Sequence, residues 1–480
     1  MVARPDGARQ CRNVNVSNVL PLTTRTYGPI GTLSAATGAL VATCRGAGFF
    51  RGIGGTIFNC AGTSVKLYKL ASGAWSNITR SSAVDYAVQT EDMWAFTQFG
   101  DRVIAVNGTD NVQYYDIGSS TNFEPLAGSP PIGRYVASVR DFVFIGRIVS
   151  AANKLQWSGF NNSANWTIGT NQSDDAEIPT GNKIMGIVGG EYATVFSEEA
   201  INRFTYVGTP IIFQRDNISV MSGTACENSI VGHQGLIFYV SYEGFFMLDR
   251  SGSQTPIGDQ KVDRFFWSNV NQSYLHKVIA TVDPINKLYC VAFPSSSSTS
   301  GAPDMIMFFN WAIGRWSIAT ISVEYLYSAS SNESYNIDNI DTLYGNLDAI
   351  PISLDSGLLT GSGKASLGAF GTDHTLGFFN GANMAAVMET TEGNINAGGR
   401  ALVTEVWPLI DGGSPSVQIG TRELPQDSVT WGSTVAQIAN GMVPMLSNAS
   451  YHRARIITAA GANWAHCSGI DITVRKVGRF

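Results

Sequence analysis

Apolar and polar residues alternate along this chain in short runs, and tight-turn residues separate the runs. Trp94-Ala-Phe-Thr-Gln-Phe leads into Gly100-Asp101, then Arg102-Val-Ile-Ala-Val, then Asn107-Gly108, then Val112-Gln-Tyr-Tyr-Asp. This reads as strand, turn, strand, turn, strand, because Asn-Gly and Gly-Asp supply the positive φ that two-residue hairpin loops need. The pattern recurs. Gly48–Arg51 leads through Gly54-Gly55 to Thr56–Cys60 and Val65–Leu70. Tyr135–Val139 leads through Arg140-Asp141 to Phe142–Gly146 and Leu155-Gln-Trp157. Ile184–Val188, Ile230-Val231 and Val278–Val282 open three more units, through Gly189-Gly190, Gln234-Gly235 and Asn286-Lys287. Leu367–Phe370 opens a last one, through Thr372-Asp373 to Thr375–Phe379 and then Met384–Met388.

The first turns fall near residues 55, 101, 141, 191, 235, 287 and 373, a period of about 45 residues with the last gap twice as long. Three or four short strands at that period are the signature of propeller blades. The sequence therefore predicts an all-β chain, a β-propeller of six or seven blades over residues 43–395, with a degenerate unit near 328–360. Trp75, Trp166 and Trp316 each come late in a unit and are expected to fill the interfaces between blades. Beyond residue 396 the runs lengthen. Gly398–Asp411, Ser416–Thr421, Ser428–Trp431, Tyr451–Thr458 and Ile470–Val474 predict a C-terminal β-sandwich-like domain over 396–480. Residues 1–42 read as an irregular N-terminal arm packing against a neighbour. No helix of ten or more residues is expected, and Thr434–Asn440 could form one short helix.

Composition sharpens this picture. Only 14% of the 480 residues are charged, against about 25% in an average soluble protein. Glycine accounts for 51 positions, which suits two tight turns per unit. Low charge with 44% hydrophobic residues excludes coiled coils and disordered chains. The net charge of −6 and the absence of a basic run argue against a sequence-reading nucleic-acid binder. Cys11, Cys44, Cys60, Cys226, Cys290 and Cys467 are widely spaced with no CxxC pair, so they read as free thiols in a reducing compartment rather than zinc ligands. No apolar leader or membrane-length run is seen, and the ten Asn-x-Ser/Thr sequons read as polar loops.

Candidate chemistry is sparse. There is no G-x-S-x-G elbow. Gly361-Ser-Gly363-Lys364 lacks the first glycine of a phosphate loop, and Ala365 stands where a hydroxyl would hold magnesium. His233, His276, His374, His452 and His466 show no metal-ligating spacing. Asp174-Asp175 and Glu198-Glu199 are adjacent carboxylates, which on a strand point to opposite faces and do not form a general acid/base pair. A propeller glycosidase would need arginines converging on the axis to clamp a carboxylate. The sequence thus names no catalytic, cofactor-binding or metal-ligating residue, no channel-lining residue, and no cofactor.

The stretch Leu347-Asp348-Ala-Ile-Pro351, Leu354-Asp355, Leu367-Gly-Ala-Phe370, Asp373-His374, Leu376-Gly-Phe-Phe-Asn-Gly381 and Ala385-Ala-Val-Met-Glu389-Thr390 resembles the hub/nozzle (packaged-DNA stabilisation) tail proteins of short-tailed bacteriophages. So do Gln156-Trp157-Ser158, Val195–Arg203, Tyr451-His-Arg453-Ala-Arg455, Trp464, Gly469-Ile-Asp471 and Gly478-Arg479; the opening Cys11-Arg12-Asn13-Val14 matches loosely. The resemblance covers most of the chain beyond Gly48. It implies a structural virion protein rather than an enzyme, forming a homohexameric ring at the distal end of the head–tail connector. Such a ring continues the DNA channel, retains the packaged genome, and docks the tail needle and tail fibres or spikes. Its partners would be the portal and adaptor proteins of the connector and double-stranded DNA passing without sequence recognition, with no membrane insertion. It would reside in the virion tail, and in the host cytoplasm during assembly. The low charge fits, since a channel that DNA must leave should not neutralise phosphates. Competing expectations are a virion-borne propeller glycosidase or depolymerase, signalled by carboxylates and arginines at one mouth, and a receptor-binding adhesin, signalled by exposed aromatics at a blade-top groove.

Overall fold

The computed structural model describes residues 9–10, 16–82, 84–329, 366–394, 396 and 399–477. The hairpin cadence folds into antiparallel four-stranded sheets. Blade 1 comprises Ala47–Arg51, Ile57–Gly62, Leu67–Ala71 and Ala74–Asn77. Blade 2 spans Ala95–Phe99 to Glu124–Pro125, blade 3 Gly133–Val139 to Asp174–Glu177, and blade 4 Ile184–Val188 to Ile212–Ser219. Blade 5 spans Val231–His233 to Gln254–Pro256, and blade 6 Ile279–Asp283 to Arg315–Ala319. In every blade the first strand is innermost and successive inner strands are neighbours around the axis. Between blades 3 and 4 they touch through backbone: Arg140 N donates to Gly190 O at 2.8 Å and Gly190 N to Ser138 O at 3.1 Å. The turns that set the period take up positive φ where the pattern requires it, as at Gly55 (85°), Gly100 (62°) and Gly235 (84°).

The seventh blade differs from the sequence expectation. Its inner strand is Tyr325–Ala329, followed by Ser366–Phe370 and Thr375–Phe378. Thr372-Asp373 therefore turns between the second and third strands, not the first and second. The doubled gap in the cadence is one blade whose first turn is replaced by residues 330–365. Those residues, which hold most of the degenerate unit and the Gly361–Lys364 turn, lie outside the described residues. The fourth strand comes from the far end of the chain, as Ser34–Ala39 pairs with Thr375–Phe378. This closes the propeller at seven blades by pairing an N-terminal strand with the last blade. Gly377 permits the closure, since a Cβ there would lie 2.6 Å from Ser34 O.

The other N-terminal strands also pack within the chain, so the segment expected to be an irregular arm is woven into the fold. Val19–Pro21 and Tyr27–Pro29 join Cys467–Val477, Arg400–Ile410 and Val443–Ala449 in one sandwich sheet. Val16–Ser17 pairs in parallel with Arg315–Ala319, the outer strand of blade 6, and antiparallel with Ala386–Glu389. Ala386–Glu389, expected as the third strand of the last blade, instead pairs with Tyr451–Thr458 in the sandwich. One ten-stranded sheet thus runs from blade 6 into the sandwich. Asn18 stitches the junction: its N donates to Ile318 O at 2.7 Å, its Nδ2 to Ala385 O at 2.8 Å, and its Oδ1 accepts from Thr320 N at 3.1 Å.

Packing follows the alternation. In Tyr451–Thr458 every second residue is buried, placing Ala454 and Ile456 against Val403, Val406, Val417 and Ile470 between the two sandwich sheets. Between blades 5 and 6 the core is aromatic, with Phe238, Phe245, Phe266, Tyr289 and Phe293 fully buried. The three recurrent tryptophans face the preceding blade. Trp316 lies 4.7 Å from Phe245 and donates Nε1–H to Ile257 O at 2.8 Å. Trp166 packs with Val106, Val112 and Leu126, and Trp75 lies 5.5 Å from Phe370 of blade 7. Two helical details depart from expectation. Thr434–Asn440 forms no helix; Val435–Ala436 is a short strand on Ser416–Arg422, where β-branched residues favour extension. A helix forms instead at Lys261–Asn269, where Gln260 and Asp263 make a capping box and Asp263 also accepts from Phe245 N at 2.9 Å.

Candidate functional site at the axial mouth

Each inner strand begins at the same end of the propeller, here the upper face, and the turn between second and third strands returns to it. Residues at these two phases of the repeat therefore converge on the upper mouth. They include Asp92 before blade 2, Arg134 and Tyr135 opening blade 3, Arg147 closing its second strand, Glu227 before blade 5, and His276 and Lys277 before blade 6.

The side chains of Asp92, Arg134, Tyr135, Arg147 and Glu227 form one network. Arg134 contacts Asp92 Oδ1 at 2.8 Å and Glu227 Oε2 at 2.8 Å. Arg147 contacts Glu227 Oε1 at 2.7 Å, and Tyr135 Oη donates to Glu227 Oε2 at 2.9 Å. The side chains of Arg134 and Glu227 are only 10% and 9% exposed. Burial alone would push the Glu227 carboxyl up, but Arg134, Arg147 and the Tyr135 hydroxyl together hold it below its ordinary value. Burial, then Glu227, pushes the Tyr135 hydroxyl up. Asn228 Nδ2 donates to His276 O at 2.8 Å, tying blade 5 to blade 6. Burial is the main cause that lowers His276, which also senses Glu91, Lys277, Glu227 and Arg134.

A second cluster at the same face closes the ring. Glu324 precedes the inner strand of blade 7; its Oε2 accepts from Cys44 N at 3.1 Å, and its Oε1 lies 2.7 Å from His374 Nδ1. Burial raises Glu324, opposed by the Cys44 N–H and by His374.

Chemically, the mouth holds an arginine clamp with its carboxylate already supplied by the chain, because Glu227 occupies both guanidinium groups. The sequence named none of these residues. Asp92, Arg134, Arg147 and Glu227 carry no local motif; their shared signal is their phase in the repeat. Of the groups weighed from sequence, His276 stands beside the first network, His374 and Cys44 belong to the Glu324 cluster, and the others lie apart. His233 ends the inner strand of blade 5 with its ring 5.7 Å from Trp311, His452 is buried in the sandwich, and His466 is exposed. Asp175 pairs with Lys154, and Glu198 with Lys183 at 3.0 Å. Cys44, Cys60, Cys226 and Cys290 are free and buried, and Cys467 is buried. Among the described residues no cluster of three metal-ligating side chains occurs, and no helix is long and apolar enough to cross a membrane.

No protein-family model matches the sequence, and no curated protein matches it. Solved structures align with it at low similarity. The extracellular domain of the putative one-component system BT4673 from B. thetaiotaomicron aligns at 11% identity and a TM-score of 0.42, over 90% of this chain and 47% of that one. This chain thus spans about half the length of that domain. U3-55K aligns at 8% identity and a TM-score of 0.41, over 62% of this chain and 88% of that one. The computationally designed Ika8 protein aligns at 10% identity and a TM-score of 0.37, over 72% and 99%.

Proposed function

We propose that this chain is a structural virion protein. Six copies form a ring at the distal end of the head–tail connector of a short-tailed phage, continue the DNA channel, retain the packaged genome, and dock the needle and the fibres or spikes. The observation that carries this reading is the continuous sheet from blade 6 through Val16–Ser17 into the sandwich. It makes propeller and sandwich one stiff body, the property required of a ring subunit that bears the pressure of packaged DNA. The resemblance in Leu367–Gly381 and Tyr451–Arg455 supports it, and so does the low charge. In this reading the DNA passage lies between copies and not along a propeller axis. Assembly on purified connector tests the reading. The complex should gain six copies, about 308 kDa at 51.4 kDa each; no binding, or a different stoichiometry, overturns it.

One observation favours a second reading, a virion-borne glycosidase or depolymerase. Arg134, Arg147, Glu227 and Tyr135 meet at one mouth, which is the composition that reading calls for. In its favour would be release of reducing ends from host surface polysaccharide by the purified chain, abolished by Tyr135→Phe. Against it stands the pairing of both arginines with the chain's own glutamate.

A further inference from the structure

The chain contains three Asn-Gly bonds, Asn107-Gly108, Asn380-Gly381 and Asn440-Gly441. Such a bond is chemically labile, because glycine has no Cβ to shield its amide nitrogen from the neighbouring side-chain carbonyl. The fold treats the three differently. Asn107 is 1% exposed. Its Oδ1 accepts from Thr109 N at 3.0 Å and Asp110 N at 2.8 Å, and its Nδ2 donates to Asp110 Oδ2 at 2.9 Å. Gly108 is packed beside the axial mouth, where a Cβ would lie 3.2 Å from Asp92 Oδ2. Asn380 is exposed, but Gly381 N donates to Thr32 O at 3.0 Å and a Cβ on Gly381 would collide with Thr32 Oγ1. Thr32 N donates in turn to Ala382 O at 2.8 Å, so the N-terminal segment clamps that turn.

Asn440 stands in the turn that joins Val435–Ala436 to Val443–Ala449. Ile438, Ala439 and Asn440 are all exposed. The turn is tied within itself: Ile438 N donates to Met442 O at 2.8 Å, Gly441 N to Ile438 O at 2.9 Å, and Gln437 Nε2 to Gly441 O at 2.7 Å. No remote segment wedges Gly441, since a Cβ there would meet nothing closer than Gln437 Nε2 at 3.6 Å. Asn440 Oδ1 accepts from Met442 N at 3.0 Å, and its Nδ2 makes no hydrogen bond among the described residues. The Met442 N–H thus polarises the amide carbonyl and stands where negative charge would develop on attack at Cγ, while the leaving nitrogen lies in water.

We propose that Asn440 is a modification site, the one of the three that deamidates spontaneously in the folded chain. The Gly441 N–H first leaves Ile438 O, an opening that an exposed turn makes far more often than a packed one. The Gly441 nitrogen then loses its proton to hydroxide and attacks Asn440 Cγ. The Cγ–Nδ2 bond breaks, the leaving nitrogen takes up a proton and departs as ammonia, and a cyclic succinimide remains. Water adds to either succinimide carbonyl and opens the ring to aspartate or isoaspartate, so one water enters for each ammonia released. Each conversion adds one negative charge, taking the formal charge from −6 to −7, and the isoaspartyl form inserts a methylene into the main chain of the turn. Asp411-Gly412 is held back from the same chemistry: Asp411 Oδ1 accepts from Ala465 N and His466 N, both at 2.8 Å, and an ionised carboxylate resists nucleophilic attack.

The test warms the full chain at mildly alkaline pH, samples it over weeks, and follows the three Asn-Gly peptides by mass spectrometry after digestion, with isoaspartate scored by its repair methyltransferase. Asn440 should convert at least about tenfold faster than Asn380 and about a hundredfold faster than Asn107, because the rate follows the population of the open form. In heavy-oxygen water the product should carry one heavy oxygen atom. The same chain unfolded in guanidinium should lose this ranking and convert all three at rates within a few-fold of one another, because the fold no longer protects any of them. Asn440→Gln, at an exposed turn position, should leave the chain folded by circular dichroism and remove the fastest-forming acidic species on isoelectric focusing. Equal rates at the three sites in the folded chain, earlier conversion of Asn107 or Asn380, persistence of that acidic species in Asn440→Gln, or an intact Asn440 over an interval in which the unfolded chain converts it overturns the proposal.

Discussion

Replacing Glu227 by glutamine tests the axial network most sharply. The substitution keeps the shape and removes the charge. Arg134 retains Asp92 at 2.8 Å, but Arg147, only 20% exposed, loses its sole ion-pair partner among the described residues. Removing one member of a buried, hydrogen-bonded pair costs about 3–5 kcal/mol, and the retained Asp92 contact places this case near about 3 kcal/mol. At roughly 2.1 cal/mol/K per residue, a cooperative unfolding of the whole chain carries an entropy of about 1 kcal/mol/K, so the melting temperature at pH 7 should fall by about 3 °C. The pH dependence gives a second readout. The folded Glu227 carboxyl is held below its unfolded value, so its stabilisation is present above the unfolded pKa and is lost as pH falls through the lower folded value. The gap between wild type and Glu227→Gln should therefore narrow as the medium is acidified below about pH 4.5. Adding Arg147→Met to Glu227→Gln should recover part of the loss, because the orphaned guanidinium is gone. Differential scanning calorimetry across pH 3–7 measures all three. Melting temperatures within a degree of each other at pH 7, with a gap constant in pH, would refute the argument that Glu227 holds this mouth together.

Glu324 provides the opposite sign. Burial raises its folded pKa, so the wild type should lose stability as pH rises from about 4.5 through that raised value, and Glu324→Gln should gain on it across the same window, by urea titration at successive pH values. Gly377→Val should loosen the closing strand, since its Cβ would meet Ser34 O at 2.6 Å; amide exchange in Ser34–Ala39 should accelerate about tenfold or more while the sandwich strands are unaffected. Trp316→Phe should cost about 1–3 kcal/mol in chemical denaturation, because it strands Ile257 O and opens a gap beside Phe245.

The elements that could be read from sequence are those whose determinants are local. Six of the blades announce themselves by first turns such as Gly100-Asp101 and Gln234-Gly235, whose φ requirement is met within two residues. The seventh blade was shifted by one strand because its parts are remote: Tyr325–Ala329 and Ser366–Phe370 are separated by residues 330–365, and the fourth strand comes from Ser34–Ala39. Those closing residues, Ser-Ala-Ala-Thr-Gly-Ala, are small and mostly exposed, so no alternation marks them as a strand. Val16–Ser17 is too short to carry a periodic signal, and tertiary pairing alone makes it the link between blade 6 and the sandwich. The network at the mouth was hidden for the same reason. Arg134 and Glu227 are 93 positions apart and meet only because each stands at the entry to an inner strand. Aligning the units by phase and reading charged residues at that phase would have found them.

The central claim is that six copies of this chain form the ring below the head–tail connector. Cryo-electron microscopy of the parent particle tests it directly. Six copies of a seven-bladed propeller joined through blade 6 to a β-sandwich should surround the DNA channel there, and no continuous lysine and arginine lining should face the DNA. Placement of the chain as trimers at the tips of fibres or spikes, or a lumen lined throughout by this chain's basic side chains, would contradict it.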